Sequence, residues 1–420
     1  MIFVANTLEL NGGSTFLLRV CKELKRRGIL PVIFVLFGHD SSNVAIELSR
    51  IARIITLKSI VQNIFSFLCI RQFGIFLPLD KNRIISIFGE NVKSFHVMGI
   101  FGLVVAKRLS KILGGIPITI GVYHQNEFLY SAGSGYFVRW VSETLSKTPS
   151  ENMIFLNEGN RVSYAKQFNK EFLTAPVLPV GIELATVNTD EWAKNKEPFL
   201  IISVGNLVGF KTYNRHVISC VSQLKLRYPK VRYEIYGEGE ELSDLQEHSR
   251  NLGVDDLVKF CGHLDYSEFK KVVSRAHVFV GSGTAILESA VLGTPSIVGI
   301  ESIQKPLTYG FIFNVAGFGY NEAGLNMPLL PIAECIENVF SADEVGLINI
   351  STNCINKAKE FGVERTVDGF IDSEKSAKCQ IELSNVKLLC LFFSFCWLSL
   401  LDLFGIDRRF RFRRNQGWES

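Results

Sequence analysis

The feature that most constrains this chain is a rhythm. Short, uninterrupted apolar runs alternate with amphipathic stretches through a first half, and the pattern restarts after a polar gap. Ile2–Ala5 is the first apolar run. Residues 14–27 follow with Phe16, Leu17, Val20 and Leu24 spaced by three and four, and with Lys22, Lys25, Arg26 and Arg27 facing away. Gly28 stops that helix and 30–37 is a second buried run, which completes a βαβ unit. Further strands are expected at 53–57, 83–88, 116–122, 153–156 and 177–180, with a helix over 95–113. Runs that are apolar throughout, rather than alternating, require cover on both sheet faces and therefore a parallel sheet.

Residues 184–198 are polar and aperiodic, and read as a linker. The rhythm resumes with strands at 199–204, 231–236, 258–260, 278–280 and 296–299, separated by helices at 213–228, 242–252, 267–275 and 285–292. The fold class is α/β, with two Rossmann-like doubly wound domains expected to face each other across a cleft. Ligands in such sheets sit at the carboxyl ends of the strands. The division read from the pattern is 1–183, a linker at 184–198, 199–376, and a distinct C-terminal segment at 377–420.

Charge excludes one class of function. The net charge of +4 comes from five arginines in the stretch 408–414; without them 40 basic residues face 41 acidic ones. A neutral body argues against a nucleic-acid-binding face. The nine cysteines are scattered and never form C-x-x-C, so buried reduced thiols are expected rather than disulfides or structural zinc. The N-terminus lacks a basic stretch before its apolar run, and a cytoplasmic location is expected. Residues 388–401 carry no charge in fourteen positions and lead into the arginines. A spanning helix needs roughly 20 apolar residues. The expectation is a helix lying on an anionic membrane face through 388–414, peripheral on the inner side, with a core helix and solvated tail as the plainer alternative.

Candidate chemistry lies where strands end. Asn11, Gly12 and Gly13 follow the first strand, where glycines admit a ligand to backbone N–H groups. An ordinary tight turn fits the same residues, and no dinucleotide fingerprint is present. In the second half Gly205 and Asn206 end a strand, and Lys211 follows as a point charge suited to a diphosphate. Gly237 ends the next strand. Gly283, Thr284 and Ala285 open a helix whose N–H groups suit a phosphate, and Glu288 lies one turn on. His124 follows the strand 116–122. No histidine spacing suggests a metal site.

Together these residues resemble the retaining GT-B glycosyltransferases of family 4. ISVGNLVGFKTYN, IYGEGEEL, VKFCGHLDYSEF and HVFVGSGTAILESAVLGTPSIV carry the likeness in the second half; Asn11-Gly12-Gly13, His124 and 179–183 carry a weaker one in the first. The resemblance implies transfer of a sugar, with retention, from a nucleotide-diphosphate donor to a glycan acceptor, in surface-polysaccharide assembly such as lipopolysaccharide, capsule or O-antigen. It implies that Lys211, with the N–H groups of Gly283, Thr284 and Ala285, offsets charge on the leaving diphosphate, that Glu288 holds the ribose, and that His124 and Asn11-Gly12-Gly13 position sugar and acceptor. Gly205, Asn206 and Gly237 complete the donor loops. No metal or other cofactor is implied, and the apolar tail suggests a lipid-linked acceptor. Two departures stand out: Asn206 replaces a common arginine, and the first of the family's two glutamates falls at Val280. A degenerate, non-catalytic transferase and a GT-B-fold UDP-sugar epimerase are the other readings.

Overall fold

The computed structural model describes residues 1–9, 12–38, 42–89, 92–124, 126–128, 135–184, 196–379 and 383–411. The chain forms two compact units: Met1–Leu178 together with Glu364–Ser420, and Pro179–Val363.

In the first unit six parallel strands, β1 (Ile2–Ala5), β2 (Val32–Val35), β3 (Arg53–Thr56), β4 (Phe95–Val97), β5 (Ile118–Val122) and β6 (Met153–Phe155), take the order β3-β2-β1-β4-β5-β6. Every residue of β1, β4, β5 and β6 is buried, as the unbroken apolar runs require. In the second unit β7 (Leu200–Val204), β8 (Arg232–Tyr236), β9 (Val258–Gly262), β10 (Val278–Gly281) and β11 (Ser296–Val298) form a parallel sheet ordered β11-β10-β7-β8-β9. A two-residue ribbon, β12 (Leu307–Thr308) with β13 (Leu330–Pro331), stands apart. The fold is GT-B, two Rossmann-like domains on one chain.

Three elements of the first half differ from the pattern reading. Residues 83–88 are not a strand but lie in the helix Lys81–Phe88: Asp80 caps it by accepting from the Arg83 N–H at 3.1 Å, and Gly89, at φ +66°, ends it. Ile84 and Phe88, four apart, face the core while Ile85 is exposed. Phe95, expected to start a helix, begins β4 instead; the helix is Ile100–Ile112, opened by Gly99. At 177–180 only Val177 bridges β6, so no strand forms there.

The C-terminal course is the larger correction. The helix Val363–Ser376, which order along the chain assigned to the second domain, packs on the first from Glu364 onward. Arg27 pairs with Asp368 and donates to the Glu364 carbonyl, and Phe370 stacks edge-on against Phe3, Phe16 and His96. Glu374 accepts from the Ser94 hydroxyl at 3.1 Å and pairs with the Met1 amino group. The apolar helix Asn385–Leu403 also lies on the first unit, burying the stripe Leu391, Phe395 and Leu398. Ser394 Oγ accepts the Phe137 N–H at 2.9 Å. Phe410 follows the same path, with its ring against Phe101, Phe137 and Phe395.

No disulfide joins the nine cysteines. Cys21, Cys220, Cys335 and Cys354 are buried and burial pushes their thiols up, whereas Cys379 and Cys390 are exposed rather than buried.

Candidate functional site

In the second unit the chain runs from β7 outward to β8 and β9, then returns to lay β10 on the other side of β7. The loops leaving β7 and β10 therefore diverge, and the space between them is the natural ligand crevice of such a sheet. Lys211 reaches it by a backbone device. Gly205, at φ +152°, lets the chain leave β7 sharply, and a methyl group on it would lie 2.9 Å from Lys211 Nζ. The Lys211 amine thus uses the space that a side chain at Gly205 would fill.

The loop after β7 is held from behind. Gly205 N–H donates to the Tyr236 carbonyl and Leu207 N–H to that of Glu238, both at 2.9 Å. Gly237 and Gly239 have φ of +144° and +157°, and a Cβ on either would stand 2.0 Å from the carbonyl oxygen of Gly205 or Leu207. These glycines serve a backbone-on-backbone contact that no other residue permits. Beneath them the Ser203 hydroxyl donates to the Val280 carbonyl at 2.6 Å, and Tyr233 Oη lies 2.8 Å from Ser203 Oγ and 3.0 Å from Asn214 Oδ1. Val280 itself is wholly buried in the apolar core.

A carboxylate that the sequence reading missed enters beside Lys211. The segment after β11 is tied to the lysine loop: Ser302 N–H donates to the Phe210 carbonyl at 2.7 Å, and Thr212 Oγ1 and His216 Nε2 both donate to the Ile303 carbonyl at 2.9 Å. This brings in Glu301, whose Oε1 accepts the Ser282 hydroxyl at 2.8 Å. Burial pushes the Glu301 carboxyl up from its ordinary value, while the Ser282 hydrogen bond and the Lys211 ammonium act the other way and Glu322 adds repulsion. Its only sequence signal was an acid just past a strand end, which a local motif does not record.

The helix Gly283–Val291 starts at the same crevice. Gly283 N–H already donates to Asn321 Oδ1 at 3.1 Å, and Tyr320 Oη donates to the Gly283 carbonyl. That N–H is therefore engaged within the chain, in contrast to the expectation for Gly283. The N–H groups of Thr284 and Ala285 lie in the first turn, where no intrahelical carbonyl can accept them. Glu288, a turn further on, is buried and partnered. Asn206 is exposed on the loop. The structure thus brings Gly205, Lys211, Ser282, Thr284, Ala285 and Glu301 to one switch point, with Gly237 supporting from behind.

The first unit has the equivalent switch point between β1 and β4. Gly12 and Gly13 begin the helix Gly12–Arg26 and are exposed, with open space where a Gly12 side chain would be. Asn11 lies outside the described residues. His124 is exposed beyond the end of β5, and its Nδ1 accepts the Asn126 N–H at 3.1 Å, which leaves the neutral ring's proton on Nε2. Glu127, also unforeseen, is only 1% exposed. Its Oε1 stands 3.4 Å from the Ile100 N–H at a helix start, and both it and Asn6 Nδ2 crowd the vacant side-chain position of Gly99. Below them buried His96 contacts Thr119 Oγ1 at 2.9 Å and Tyr123 Oη at 2.7 Å, and burial lowers its pKa to about 3. The pair fills the space beside Gly121, where a Cβ would lie 2.3 Å from the Tyr123 ring.

Among the described residues no three His, Cys, Asp or Glu side chains gather as metal ligands.

Comparison with known proteins bears on the family likeness and the fold. Residues 186–303 match the family model described as glycosyl transferases group 1. The alpha-monoglucosyldiacylglycerol synthase of Streptococcus pneumoniae is 30% identical over 138 residues, which are 29% of this chain and 31% of that protein. An uncharacterized glycosyltransferase of Haemophilus influenzae is 23% identical over 188 residues, 42% of this chain and 50% of its own. The chain thus spans half or less of the length of these curated relatives. Among solved structures a glycosyltransferase from Rickettsia africae aligns with a TM-score of 0.62 at 14% identity, covering 89% of this chain and 97% of that one. The lipopolysaccharide outer core galactosyltransferase WaaB aligns at 0.54 and 14%, covering 89% and 99%. These structural likenesses establish the fold.

Proposed function

We propose that this GT-B chain, with its glycosyl transferases group 1 match, is a retaining glycosyltransferase that moves a sugar from a nucleotide-diphosphate donor to a lipid-linked glycan acceptor in surface-polysaccharide assembly. The observation that carries the reading is the β7/β10 switch point, where the Lys211 ammonium over Gly205 and the open first turn at Thr284 and Ala285 offer positive potential to one anion. Breaking the bond between the anomeric carbon and the diphosphate oxygen leaves charge on that oxygen. Lys211 and the two N–H groups offset it, as preorganised donors do in other leaving-group sites. Glu288 holds the ribose hydroxyls, and Gly205, Asn206 and Gly237 shape the donor loop. Glu301, hydrogen-bonded to Ser282 and beside Lys211, supplies a carboxylate where Val280 offers none. On the first domain His124 and the exposed Gly12–Gly13 turn, together with Asn11, receive sugar and acceptor.

No divalent ion or cofactor enters this scheme, and the catalytic body works at the cytoplasmic membrane face. The diacylglycerol in the pneumococcal relative's name supports an acceptor of lipid character. Thermal stabilisation across a panel of nucleotide sugars tests the donor class, and the anomeric configuration of the product tests retention. Full activity in the presence of a chelator is expected. A panel that stabilises nothing, or a product of inverted configuration, overturns the corresponding part of the proposal. The core burial of Val280 favours one other reading, a binding protein without turnover. Donor hydrolysis by the purified chain, lost in Glu288→Ala, rejects it.

A further inference from the structure

Between β3 and the helix Lys81–Phe88 the first unit carries an excursion that neither the sheet nor the site chemistry uses. Residues 60–79 contain a single charge, Arg71, and run through two 3-10 segments, Asn63–Leu68 and Arg71–Phe76. So apolar a segment would ordinarily bury itself. Here Ile64 and Phe67 are 71% and 72% exposed, and Ile70 and Phe73 are also exposed.

The excursion is nevertheless pinned. At its base Val61 bridges Leu79, with Gln62 N–H on the Pro78 carbonyl at 3.0 Å and Asp80 N–H on that of Ile60 at 2.8 Å. From below, half-buried Arg108 donates to the carbonyls of Ile75 and Leu77. Gly74 lets the chain fold back on itself, since a Cβ there would stand 2.8 Å from Cys69 Sγ. The outward side chains are thus presented by a fixed scaffold.

Beside the excursion, at the carboxyl ends of β2 and β3, lies a cavity of about 280 Å³ lined by Phe37, Gly38, Thr56, Lys58, Cys69 and Arg71 among others. Both charges on its wall are positive, and no acidic side chain lines it among the described residues. Arg71 holds φ +43°, a left-handed conformation costly for a side-chain-bearing residue and typical of places where a structure enforces a function. The exposed apolar residues continue onto the C-terminal helix through Phe73, whose ring packs on Phe395 at 5.3 Å. That helix turns Val386, Leu389, Phe393, Trp397, Leu400 and Leu403 outward, opposite its buried stripe. By length and composition it is apolar enough to cross a membrane, yet it is docked along one side.

We propose that the excursion 60–79 and its cavity are a docking site for an anionic phospholipid, in which Lys58 and Arg71 take the headgroup phosphate and Ile64, Phe67, Ile70 and Phe73 enter the acyl boundary. A fixed apolar surface beside paired cations is complementary to an anionic bilayer and to no neutral ligand. A second copy of the chain would set Lys58 and Arg71 against an identical positive rim, or leave them unmatched. The inference deepens the membrane reading given above but assigns it to other residues than the tail.

The test is co-sedimentation of the full chain with phosphatidylcholine vesicles, with and without phosphatidylglycerol. Wild type binds the anionic vesicles. The double variant Lys58→Glu/Arg71→Glu loses about tenfold or more of that binding, and Phe67→Glu/Ile70→Glu loses it as well. All of these positions are solvent-facing, so both variants keep the wild-type unfolding temperature. Trp397→Glu on the C-terminal helix reports on the tail separately: loss there alone supports the tail and overturns the excursion as the docking site. Wild-type binding by the charge-reversed variant also overturns the proposal. So does competition by inorganic phosphate with vesicle binding unchanged, which marks a free-phosphate site. A dimer broken by Phe67→Glu/Ile70→Glu without any vesicle binding marks a self-association surface. Sugar transfer to a soluble acceptor is unaltered in the charge-reversed variant, so failure of the transferase reading is read independently.

Discussion

The two switch points share a topology and differ in chemistry. In each unit the first and fourth strands lie side by side, so their loops part and leave a crevice. In the second unit that crevice holds the Lys211 ammonium and a hydroxyl–carboxyl pair, Ser282 with Glu301, whose carboxyl feels the Lys211 charge, beside a helix start. In the first it holds the carboxylate of Glu127 and the amide of Asn6 packed over Gly99, above a neutral, buried His96–Tyr123 pair. One suits an anion, as the proposed donor diphosphate requires. The other presents the hydrogen-bonding groups of Glu127 and Asn6 over a neutral floor. Topology decides where a ligand is received, and a few side chains decide its charge.

The most damaging way to break the comparison is at Gly237. Alanine there places Cβ 2.0 Å from the Gly205 carbonyl at a φ of +144°. We expect a loss of about 3 kcal/mol of stability in the second unit and no measurable donor binding. Calorimetry and donor titration check both; an unperturbed variant means that the two loops do not depend on one another. Next is Lys211→Ala, expected to lower turnover about 10²-fold, as loss of one oxyanion-type donor does. Near-normal turnover would remove Lys211 from the chemistry. On the other side, Glu127→Gln keeps shape but removes charge at the helix start. Donor affinity should be unchanged and transfer reduced about tenfold, the size of one charged hydrogen bond. A change confined to donor affinity would contradict the division between the two crevices.

What could be read from the sequence was what is local. Glycine and lysine punctuation after an apolar run placed Gly205 and Lys211 at the end of β7, and the strands of the second half fall within a few residues of their expected bounds. Where a six-residue apolar run admits two periods, the outcome turned on caps: Asp80 and Gly89 make 83–88 helical, and Gly99 separates β4 from the helix behind it. Contacts between distant residues were illegible. Arg27 meets Asp368 across 341 positions, so no periodicity shows that the chain returns to the first unit at Glu364. Glu301 becomes a site residue only because Ser302, Ile303 and Phe210 tie two loops together. The docked helix also bears on the tail: removing Asn385–Leu403 would uncover the packing of Leu391, Phe395 and Leu398, so exchange of its outward residues is the cleaner experiment.

The smallest effect is a proton count that differs between the units. In each unit burial holds one histidine far below its ordinary pKa: His96, lowered to about 3, and His277, lowered to about 4. The unfolded chain binds a proton at each from about pH 6.5 downward, whereas the folded chain does not until its own, lower pKa. Unfolded chains then hold more protons, so stability falls as pH falls. The loss is about 1 kcal/mol per pH unit for each histidine. It begins near pH 6.5 in both units and ends near pH 4 for His277, but continues to about pH 3 for His96. Calorimetric scans from neutral pH downward should show both units weakening, with the first still losing stability after the second has levelled. His96→Gln lowers stability at neutral pH by removing the Thr119 and Tyr123 contacts, and should flatten the acid slope of the first unit alone. An unchanged slope in that variant would mean that His96 is not held neutral by its burial, and the contrast between the two crevices would lose its neutral floor.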